Sequence, residues 1–251
     1  MPAKRIIPCL DVKNGDVVKG TNFVNLKYAG NAIELARKYS EVGADELIFL
    51  DITATLEKRK TLLELVNEVS KVIRIPFTVG GGISEIQDID LLLKAGADKI
   101  SLNSAIVRNP QLITDAASIA GSQAVVAAID VKKVGKKYKV FINAGKTETE
   151  REAIEWCKEV EELGAGEILL TSMDKDGTRS GFDIELLLII QDVISIPLIA
   201  SGGAGNTKHF VDLFAETDVD AALAAGIFHY GDVEITLLKN ELAKNNIEIR
   251  T

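Results

Sequence analysis

Two aspartates end apolar runs of the same shape in distant parts of the chain. Asp11 ends the run in "RIIPCLDVK" and Asp130 ends the run in "AVVAAIDVKK", and Val-Lys follows each of them. A carboxylate pair can divide a proton transfer, because one member stays ionised as a base while the other, with a raised pKa, acts as an acid. Capping a strand or bonding a loop is the alternative for either residue alone. Two aspartates at matching positions favour acid–base chemistry at one shared site.

Small residues follow four further apolar runs and could bind phosphate. Without side chains in the way, backbone N–H groups approach an anion closely, and a helix N-terminus adds a favourable dipole. Tight turns would also use such glycines. Because these segments form two matching pairs, we predict a ligand with a phosphate at each end. The candidate phosphate-binding residues are Gly82, Asn103, Ser104, Gly202, Gly203, Ala224 and Ala225.

Two longer connections carry further candidate substrate contacts. Residues 12–30 form the longest connection, which is typical of a lid, and Lys19 within it could reach a phosphate or a carbonyl. Residues 174–183, "DKDGTRSGFD", place Asp176 and Gly177 where they could contact substrate. A solvated lysine and an ordinary turn are the respective alternatives.

Apolar runs alternate with helical patterns along the whole chain. In residues 61–73 the apolar side chains recur every three or four positions, as on a helix that covers a sheet. Capping boxes at Thr61 with Glu64, Ser84 with Gln87 and Thr147 with Glu150 predict three helix starts. Eight strands alternating with eight helices predict a (β/α)8 TIM barrel, and a doubly wound sheet is the alternative. The predicted strands are Arg5–Leu10, Glu46–Asp51, Pro76–Gly80, Lys99–Asn103, Ala124–Asp130, Glu167–Ser172, Pro197–Ser201 and Ala221–Ala225.

The second half of the chain repeats the first. "GADELIFLD" (43–51) parallels "GAGEILLTS" (164–172), and "IPFTVGGGI" (75–83) parallels "IPLIASGGA" (196–204); the offset is 164 − 43 = 196 − 75 = 121. The aspartates repeat at nearly the same distance, 130 − 11 = 119. We therefore predict one domain over residues 1–251, built from half-barrels of about 1–121 and 122–251.

Closure of such a barrel would place the first and fifth strands opposite each other. Asp11 and Asp130 would then face one another at the C-terminal mouth, where barrel enzymes have their active sites. Charged residues near the other ends of four strands would enter the barrel floor, where they must pair or meet water. A structural role is the favoured interpretation of this set from the residues alone; it consists of Arg5, Glu46, Lys99 and Glu167.

Composition limits the class of protein. Lys and Arg total 29 and Asp and Glu total 37, and the resulting charge of −8 argues against nucleic acid or a membrane surface as partner. Cys9 and Cys157 are far apart, and no apolar run reaches the roughly 18 residues of a membrane span. Two histidines leave little for a metal site or a triad, so no metal or cofactor is predicted. A cytoplasmic location is expected.

The motif set resembles the cyclase subunits of imidazole glycerol phosphate synthase, which act in histidine biosynthesis. The resemblance covers nearly the whole chain. The sister sugar-phosphate isomerase of the same pathway shares the half-barrel repeat and the paired aspartates, but tends to read "AIDL" where this chain has "CLDV". The motifs that carry the resemblance are "RIIPCLDVKNGDVVKG", "LDITAT", "FTVGGGI", "AIDVKK", "GAGEILLTSMDKDGT" and "IASGGAG".

The resemblance implies a substrate phosphorylated at both ends, the ribulosyl form of an aminoimidazole carboxamide ribonucleotide (PRFAR). Ammonia would attack its ketone, and ring closure with cleavage would yield imidazole glycerol phosphate and the carboxamide ribonucleotide (AICAR). Asp130 would protonate the carbonyl oxygen, and Asp11 would transfer protons in ring closure and cleavage. Lys19 matches the lid lysine of the family. The small residues at the strand ends match its two phosphate sites.

The resemblance also implies a partner. The floor charges match a ring through which ammonia enters from a glutaminase subunit docked on the lower face, the N-terminal face of the barrel, and Asp98 would help to dock it. One departure is Ala144, where the family often has a small polar residue or glycine. Two other functions stay open: the sister isomerase, which needs no ammonia, and a barrel that binds a bisphosphate or a partner without catalysis.

Overall fold

The computed structural model describes residues 3–13, 16–21, 24–51 and 56–250 of the chain. Strands and helices alternate along these residues. The strands are β1 (Arg5–Lys13), β2 (Asp16–Thr21), β3 (Val24–Asn31), β4 (Leu47–Asp51), β5 (Phe77–Gly80), β6 (Lys99–Leu102), β7 (Val125–Val134), β8 (Lys137–Ile142), β9 (Thr147–Glu152), β10 (Glu167–Ser172), β11 (Leu198–Ser201) and β12 (Ala221–Ala224). The helices are α1 (Ala32–Glu41), α2 (Leu56–Ser70), α3 (Ile86–Ala95), α4 (Ser104–Arg108), α5 (Gln111–Ala120), α6 (Ala153–Glu162), α7 (Ile184–Gln191), α8 (Thr207–Glu216), α9 (Gly226–His229) and α10 (Ile235–Lys244).

Eight parallel strands close into a ring in the order β1, β4, β5, β6, β7, β10, β11, β12. The ring closes where β12 pairs with β1, in the register Arg5 with Ala221 to Pro8 with Ala224. The helices that connect the strands cover the outside of the ring with their buried faces. The predicted (β/α)8 barrel is therefore confirmed, and the doubly wound sheet is excluded.

Each half of the ring begins with a three-stranded unit that sequence reasoning missed. β1 continues into the antiparallel hairpin β2–β3, and β7 continues into the antiparallel hairpin β8–β9. In the described part of residues 12–30, the predicted long connection is thus largely a pair of strands, which the sequence analysis did not predict. Alternation of polar and apolar residues was too weak there to predict strands. The order of elements from β1 to α5 then recurs from β7 to α10.

Side chains of the ring strands alternate between two cores. Ile6 and Leu10 of β1 face outward and pack under the helices, whereas Ile7 and Cys9 face inward and pack against inward residues such as Val126. This period of two follows from the pleat of a strand. Every second residue of β1 therefore lines the barrel axis, from Arg5 at the floor to Asp11 at the mouth.

Two of the three predicted helix starts are wrong. α2 begins at Leu56, so Thr61 lies within the helix, and Thr147 with Glu150 lies in strand β9. A helix does begin close to the predicted start at Ser84: α3 begins at Ile86. Its capping box uses Asp88 in place of Gln87, and the Asp88 carboxylate accepts from the Glu85 N–H at 3.3 Å. The reason is that a capping box is a local pattern, which strand pairing or an earlier helix start overrides.

The turn between β8 and β9 holds an alanine in a left-handed backbone conformation that destabilises the fold. Ala144 is exposed and left-handed at φ 55°, between Asn143 at φ 56° and Gly145 at φ 75°. A left-handed alanine costs about 1–2 kcal/mol and glycine little, so Ala144→Gly is expected to raise the free energy of unfolding by up to about 1 kcal/mol. Urea denaturation measures it. Gly145→Ala is the opposing control, because its Cβ would lie 2.5 Å from Met173 Cε; a loss of stability in Ala144→Gly would contradict the argument.

Candidate active site

The two aspartates lie on opposite sides of the barrel mouth. β1 and β7 are four strands apart in the ring of eight, so they stand diametrically opposite. Asp11 is only 3% exposed and pairs in register with Leu50 of β4. Asp130 is flanked in register by Phe141 of β8 and Thr171 of β10. This placement follows from ring closure, as the sequence predicted.

Asp130 has the titration behaviour of a proton donor near neutrality. Burial at the mouth raises the pKa of its carboxyl to about 6. The side-chain amide of Asn103 donates to Asp130 Oδ2 at 3.2 Å and lowers the pKa, while the negative charge of Asp176 raises it. A group with a pKa near 6 is populated in both protonation states close to neutral pH, as a general acid or base requires.

The two halves of the barrel surround their aspartates differently. Asn103 precedes α4 with φ −119° and ψ −100°, and Ala225 precedes α9 with the closely similar values −123° and −78°. The backbone therefore turns in the same way after β6 and after β12. Only the first half places an amide donor there, since alanine has no polar side-chain atom. The two halves therefore keep the carboxylates but differ in the side chain at this turn position.

The loop after β10 brings Asp176 and Gly177 to the mouth. The Asp176 N–H donates to the Ser172 carbonyl at 2.9 Å, and its carboxylate is near enough to Asp130 to raise the pKa of that group. Gly177 has φ 74°. Nearby, Asp174 Oδ2 accepts from the Lys133 N–H at 2.8 Å, which ties this loop to the end of β7. Both predicted substrate contacts lie on the face that carries the aspartates.

The strand-end glycines lie where two backbones come close together. A Cβ on Gly81 would be 2.1 Å from the Asp51 carbonyl oxygen, and one on Gly202 would be 2.6 Å from the Ser172 carbonyl oxygen. Both have φ near 90°, which disfavours other residues. These glycines are therefore required by the turns themselves. Gly82 and Gly203 follow them directly, at the mouth end of β5 and β11.

The remaining predicted phosphate residues lie beside these turns. Ser104 begins α4, directly after Asn103. Ala224 ends β12, and Ala225 follows it one residue before α9, so the predicted strand end at Ala225 is one residue too long. All of these positions are at the C-terminal ends of the ring strands. Lys19 belongs to β2 and pairs with Lys27 of β3, but its side chain lies outside what the structure describes.

The four floor charges form a closed ring of ion pairs. Arg5 contacts Glu46 and Glu167 at 2.6 Å each, and Lys99 contacts the same two carboxylates at 3.0 and 2.9 Å. Each carboxylate therefore lies between two cations, and the ring has no net charge. Desolvation opposes the charged form of Arg5, but Glu167 and Glu46 outweigh it and raise the pKa of its guanidinium. The N-terminal end of the barrel axis is thus occupied by charge.

Two hydroxyls inside the barrel have no hydrogen-bond partner among the described residues. Thr78 on β5 is 1% exposed and Ser101 on β6 is 3% exposed. Their neighbours along each strand, Phe77 and Ile100 among them, face the outer core, so the hydroxyls face the barrel axis. Sequence reasoning missed both residues. The alternation Lys99, Ser101, Asn103 was the available signal, since it makes one strand face polar from floor to mouth.

The Asp98 side chain makes a structural hydrogen bond, in addition to the docking role predicted for it. Its Oδ2 accepts from the Phe77 N–H at 2.8 Å, at the lower end of β5. Asp45 accepts from the Ile6 N–H and Asp220 from the Leu198 N–H in the same way. Asp98 is nevertheless exposed on the N-terminal face of the barrel.

No group of three His, Cys, Asp or Glu side chains within residues 3–13, 16–21, 24–51 and 56–250 is arranged to hold a metal ion. Over the same residues, we find no helix with the length and apolar character that crossing a membrane requires. Cys9 and Cys157 are buried and form no disulfide with each other, and burial raises the pKa of Cys157 to about 12. An ionised, nucleophilic Cys157 is therefore disfavoured near neutral pH.

Fold and site together define a barrel with an acidic pair at its mouth and an ion-paired floor, and comparison with known proteins identifies the family. A family model described as "Histidine biosynthesis protein" matches residues 5–234. The imidazole glycerol phosphate synthase subunit HisF of Flavobacterium johnsoniae is 58% identical over 250 residues. Those of Bacillus cereus and Bacteroides thetaiotaomicron are each 56% identical, and all three alignments cover 100% of both chains.

The chain belongs to the HisF family of imidazole glycerol phosphate synthase subunits. The resemblance read from the sequence motifs is therefore confirmed. So is the prediction of an enzyme of the cyclase, or lyase, class from histidine biosynthesis.

Proposed function

We propose that the chain converts PRFAR and ammonia to imidazole glycerol phosphate and AICAR. The observation that carries this proposal is a polar line along the barrel axis. It runs from the ion-paired floor past the hydroxyls of Thr78 and Ser101, which have no partner within the described part of the chain, to Asp11 and Asp130 at the mouth. Apolar side chains, such as those of Ile7, Ile48 and Val126, pack beside this line inside the barrel. A small neutral molecule that accepts and donates hydrogen bonds fits such a line.

Asp130 supplies a proton during the attack of ammonia. With its pKa near 6, the carboxyl gives its proton to the ketone oxygen as the ammonia nitrogen bonds to the carbon. Loss of water then leaves the nitrogen joined to the substrate. Asp11, on the opposite strand, transfers protons as the imidazole ring closes and the bond to the departing carboxamide ribonucleotide breaks. The amide of Asn103 beside Asp130 and the raised pKa of that carboxyl support its role as the proton donor.

The substrate is held by a phosphate at each end. One phosphate binds at Gly82, Asn103 and Ser104, and the other at Gly202, Gly203, Ala224 and Ala225, with backbone N–H groups as the main donors. The equal backbone turns before α4 and α9 support two such sites, because they form on opposite sides of the mouth. Asp176 and Gly177 contact the part of the substrate that lies between the two phosphates, and Lys19 reaches the substrate from β2.

Ammonia enters through the floor from a glutaminase subunit. The family relatives are named as subunits of a synthase, which supports a partner. It docks on the N-terminal face with Asp98 in the interface, and the ring of Arg5, Glu46, Lys99 and Glu167 is the entrance. We place the reaction in the cytoplasm, where Cys9 and Cys157 stay reduced. The chain works as one domain without a metal or other cofactor.

The decisive experiment supplies ammonia directly. Purified chain with PRFAR and an ammonium salt at alkaline pH is expected to consume the substrate, and omission of ammonium is expected to stop consumption. Added glutamine alone is expected to do nothing until a glutaminase subunit is supplied. Conversion of the aminoaldose precursor without ammonia would instead identify the sister isomerase activity. Binding of PRFAR without any turnover would identify a binding protein.

A further inference from the structure

A chain of hydrogen bonds leads from the β8–β9 turn to Asp130. The Asn143 N–H donates to Ser104 Oγ at 2.9 Å, Ser104 Oγ donates to Asn103 Oδ1 at 3.0 Å, and Asn103 Nδ2 donates to Asp130 Oδ2 at 3.2 Å. Asn143 is itself held from two sides, because Arg108 donates to its side-chain oxygen and its amide donates to Thr147 at 3.1 Å. This series of hydrogen bonds thus starts from a turn that is held in place.

All donors in this series of hydrogen bonds point toward Asp130. A backbone N–H can only donate, so Ser104 Oγ must accept from Asn143 and keeps its own proton for Asn103 Oδ1. That bond fixes which end of the Asn103 amide is the oxygen. The NH2 end therefore faces the carboxylate, whereas the reversed amide would set two acceptors against each other. Successive bonds of this kind polarise and strengthen one another.

The fold itself does not require this pair of residues. The second half of the barrel makes the equivalent turn with Ala225 and Gly226, which have no side-chain donor or acceptor. The serine and asparagine are therefore confined to the half that contains Asp130. A purely structural need for them would apply to both halves.

We propose that Ser104 is a positioning residue for the reaction, because its hydroxyl fixes the Asn103 amide with its donor toward Asp130. The proposal rests on the proposed function for the identity of the reaction, but its geometry does not. Without the hydroxyl, the Asn103 amide loses the bond that holds its oxygen end, so its NH2 group is held less firmly toward Asp130 and its hydrogen bond to the carboxylate is weaker. Ser104 acts in this way in addition to any contact it makes with phosphate.

Few charged groups are found near Asp130 among the side chains that the structure describes. Asp176, from the loop after β10, is the charged group whose effect on the Asp130 carboxyl is resolved, and Asp11 stands across the mouth. The neighbours in register, Phe141 on β8 and Thr171 on β10, carry no charge. Among the described side chains, the amide of Asn103 is therefore the neighbouring group that favours the ionised form of Asp130. Burial raises the pKa of the carboxyl, and the hydrogen bond from the amide partly offsets that rise.

Titration of Asp130 by carbon-13 NMR of labelled aspartate carboxyls tests the proposal without substrate. The Asp130 signal is assigned by its absence from Asp130→Asn. Ser104→Ala is expected to raise the pKa of Asp130 by about one pH unit, because the ionised form loses a charge-assisted hydrogen bond. Ser104→Thr retains the hydroxyl and is expected to restore the wild-type value. Ser104→Cys, a weak donor of similar size, is expected to raise it as well.

Ser118→Ala is the matched control, since Ser118 donates to the Thr114 carbonyl within α5, away from the mouth. It is expected to leave the Asp130 titration unchanged. An unchanged pKa in both Ser104→Ala and Ser104→Cys would overturn the proposal. Because this readout involves neither ammonia nor PRFAR, it stands or falls separately from the proposed function. In the active enzyme, the pH dependence of kcat is expected to move with the measured pKa.

Discussion

Replacement of Asp130 by asparagine is expected to lower kcat by about 10²–10⁴-fold, the usual contribution of a general acid or base. Asparagine has nearly the same shape and can still accept from the Asn103 amide, so substrate binding is expected to change little. Steady-state assays with saturating ammonium and titration of substrate binding separate the two effects. A rate near that of the wild type would remove Asp130 from the mechanism.

The same variant is expected to be more stable than the wild type at neutral pH. Burial raises the pKa of Asp130 from 3.8 to about 6, so the folded protein binds this proton more tightly than the unfolded chain does. The free energy of unfolding therefore falls as the pH rises from about 4 to about 6. In this range the unfolded chain loses the proton readily, whereas in the folded protein the buried carboxyl is costly to ionise. Asp130→Asn avoids that cost and should gain up to about 3 kcal/mol at pH 7, since a shift of one pKa unit corresponds to about 1.4 kcal/mol. Most of this gain should be lost at pH 4.

Asp115→Asn is a suitable control for both effects. Asp115 lies on α5 and accepts from Gln111 at the exposed surface, so neither turnover nor the pH dependence of stability should change. Urea denaturation of the three proteins at pH 4 and pH 7 gives the comparison. A stability difference between Asp130→Asn and the wild type that is the same at both pH values would mean that ionisation of Asp130 is not its source.

Removal of Arg5 is expected to cause the largest loss of stability among these variants. Arg5→Met leaves Glu46 and Glu167, which are almost fully buried, with Lys99 as their shared cation in the floor ring. Removal of one partner from a buried ion pair typically costs 3–5 kcal/mol, because the remaining charge is desolvated and unpaired. Since Arg5 is partly exposed, we expect about 3 kcal/mol, at the lower end of that range.

Lys94→Met provides the comparison with a surface ion pair. Lys94 contacts Asp90 at 2.6 Å, but its side chain is 71% exposed, and such pairs contribute at most about 1 kcal/mol. Chemical denaturation of both variants and the wild type measures the difference. Equal losses in Arg5→Met and Lys94→Met would show that the floor ring is as well solvated as the surface. Its use as a guarded entrance would then lose its physical basis.

The strands of the ring could be predicted from the sequence because each is a short apolar run with a clear end. β10 was predicted to the residue, and the other seven ring strands overlap their predictions, with the largest difference at the end of β7. The hairpins after β1 and β7 could not be predicted in this way. Their strands are mostly polar and are stabilised by pairing with a neighbour. Helix starts failed for a related reason, as at Thr147, where pairing with β8 decides the conformation.

The same distinction between sequence and tertiary structure applies to the candidate site. The sequence alone determined that two aspartates and two sets of small residues recur at strand ends and that four charges lie near the opposite ends, since a repeat and a period of two are properties of the chain. Only the tertiary structure decided that the floor charges form a closed ring and that Thr78 and Ser101 face the axis with no partner among the described residues. It also decided that the Asn103 amide donates to Asp130. These features arise between strands distant in sequence, so their geometry exists only after the barrel has closed.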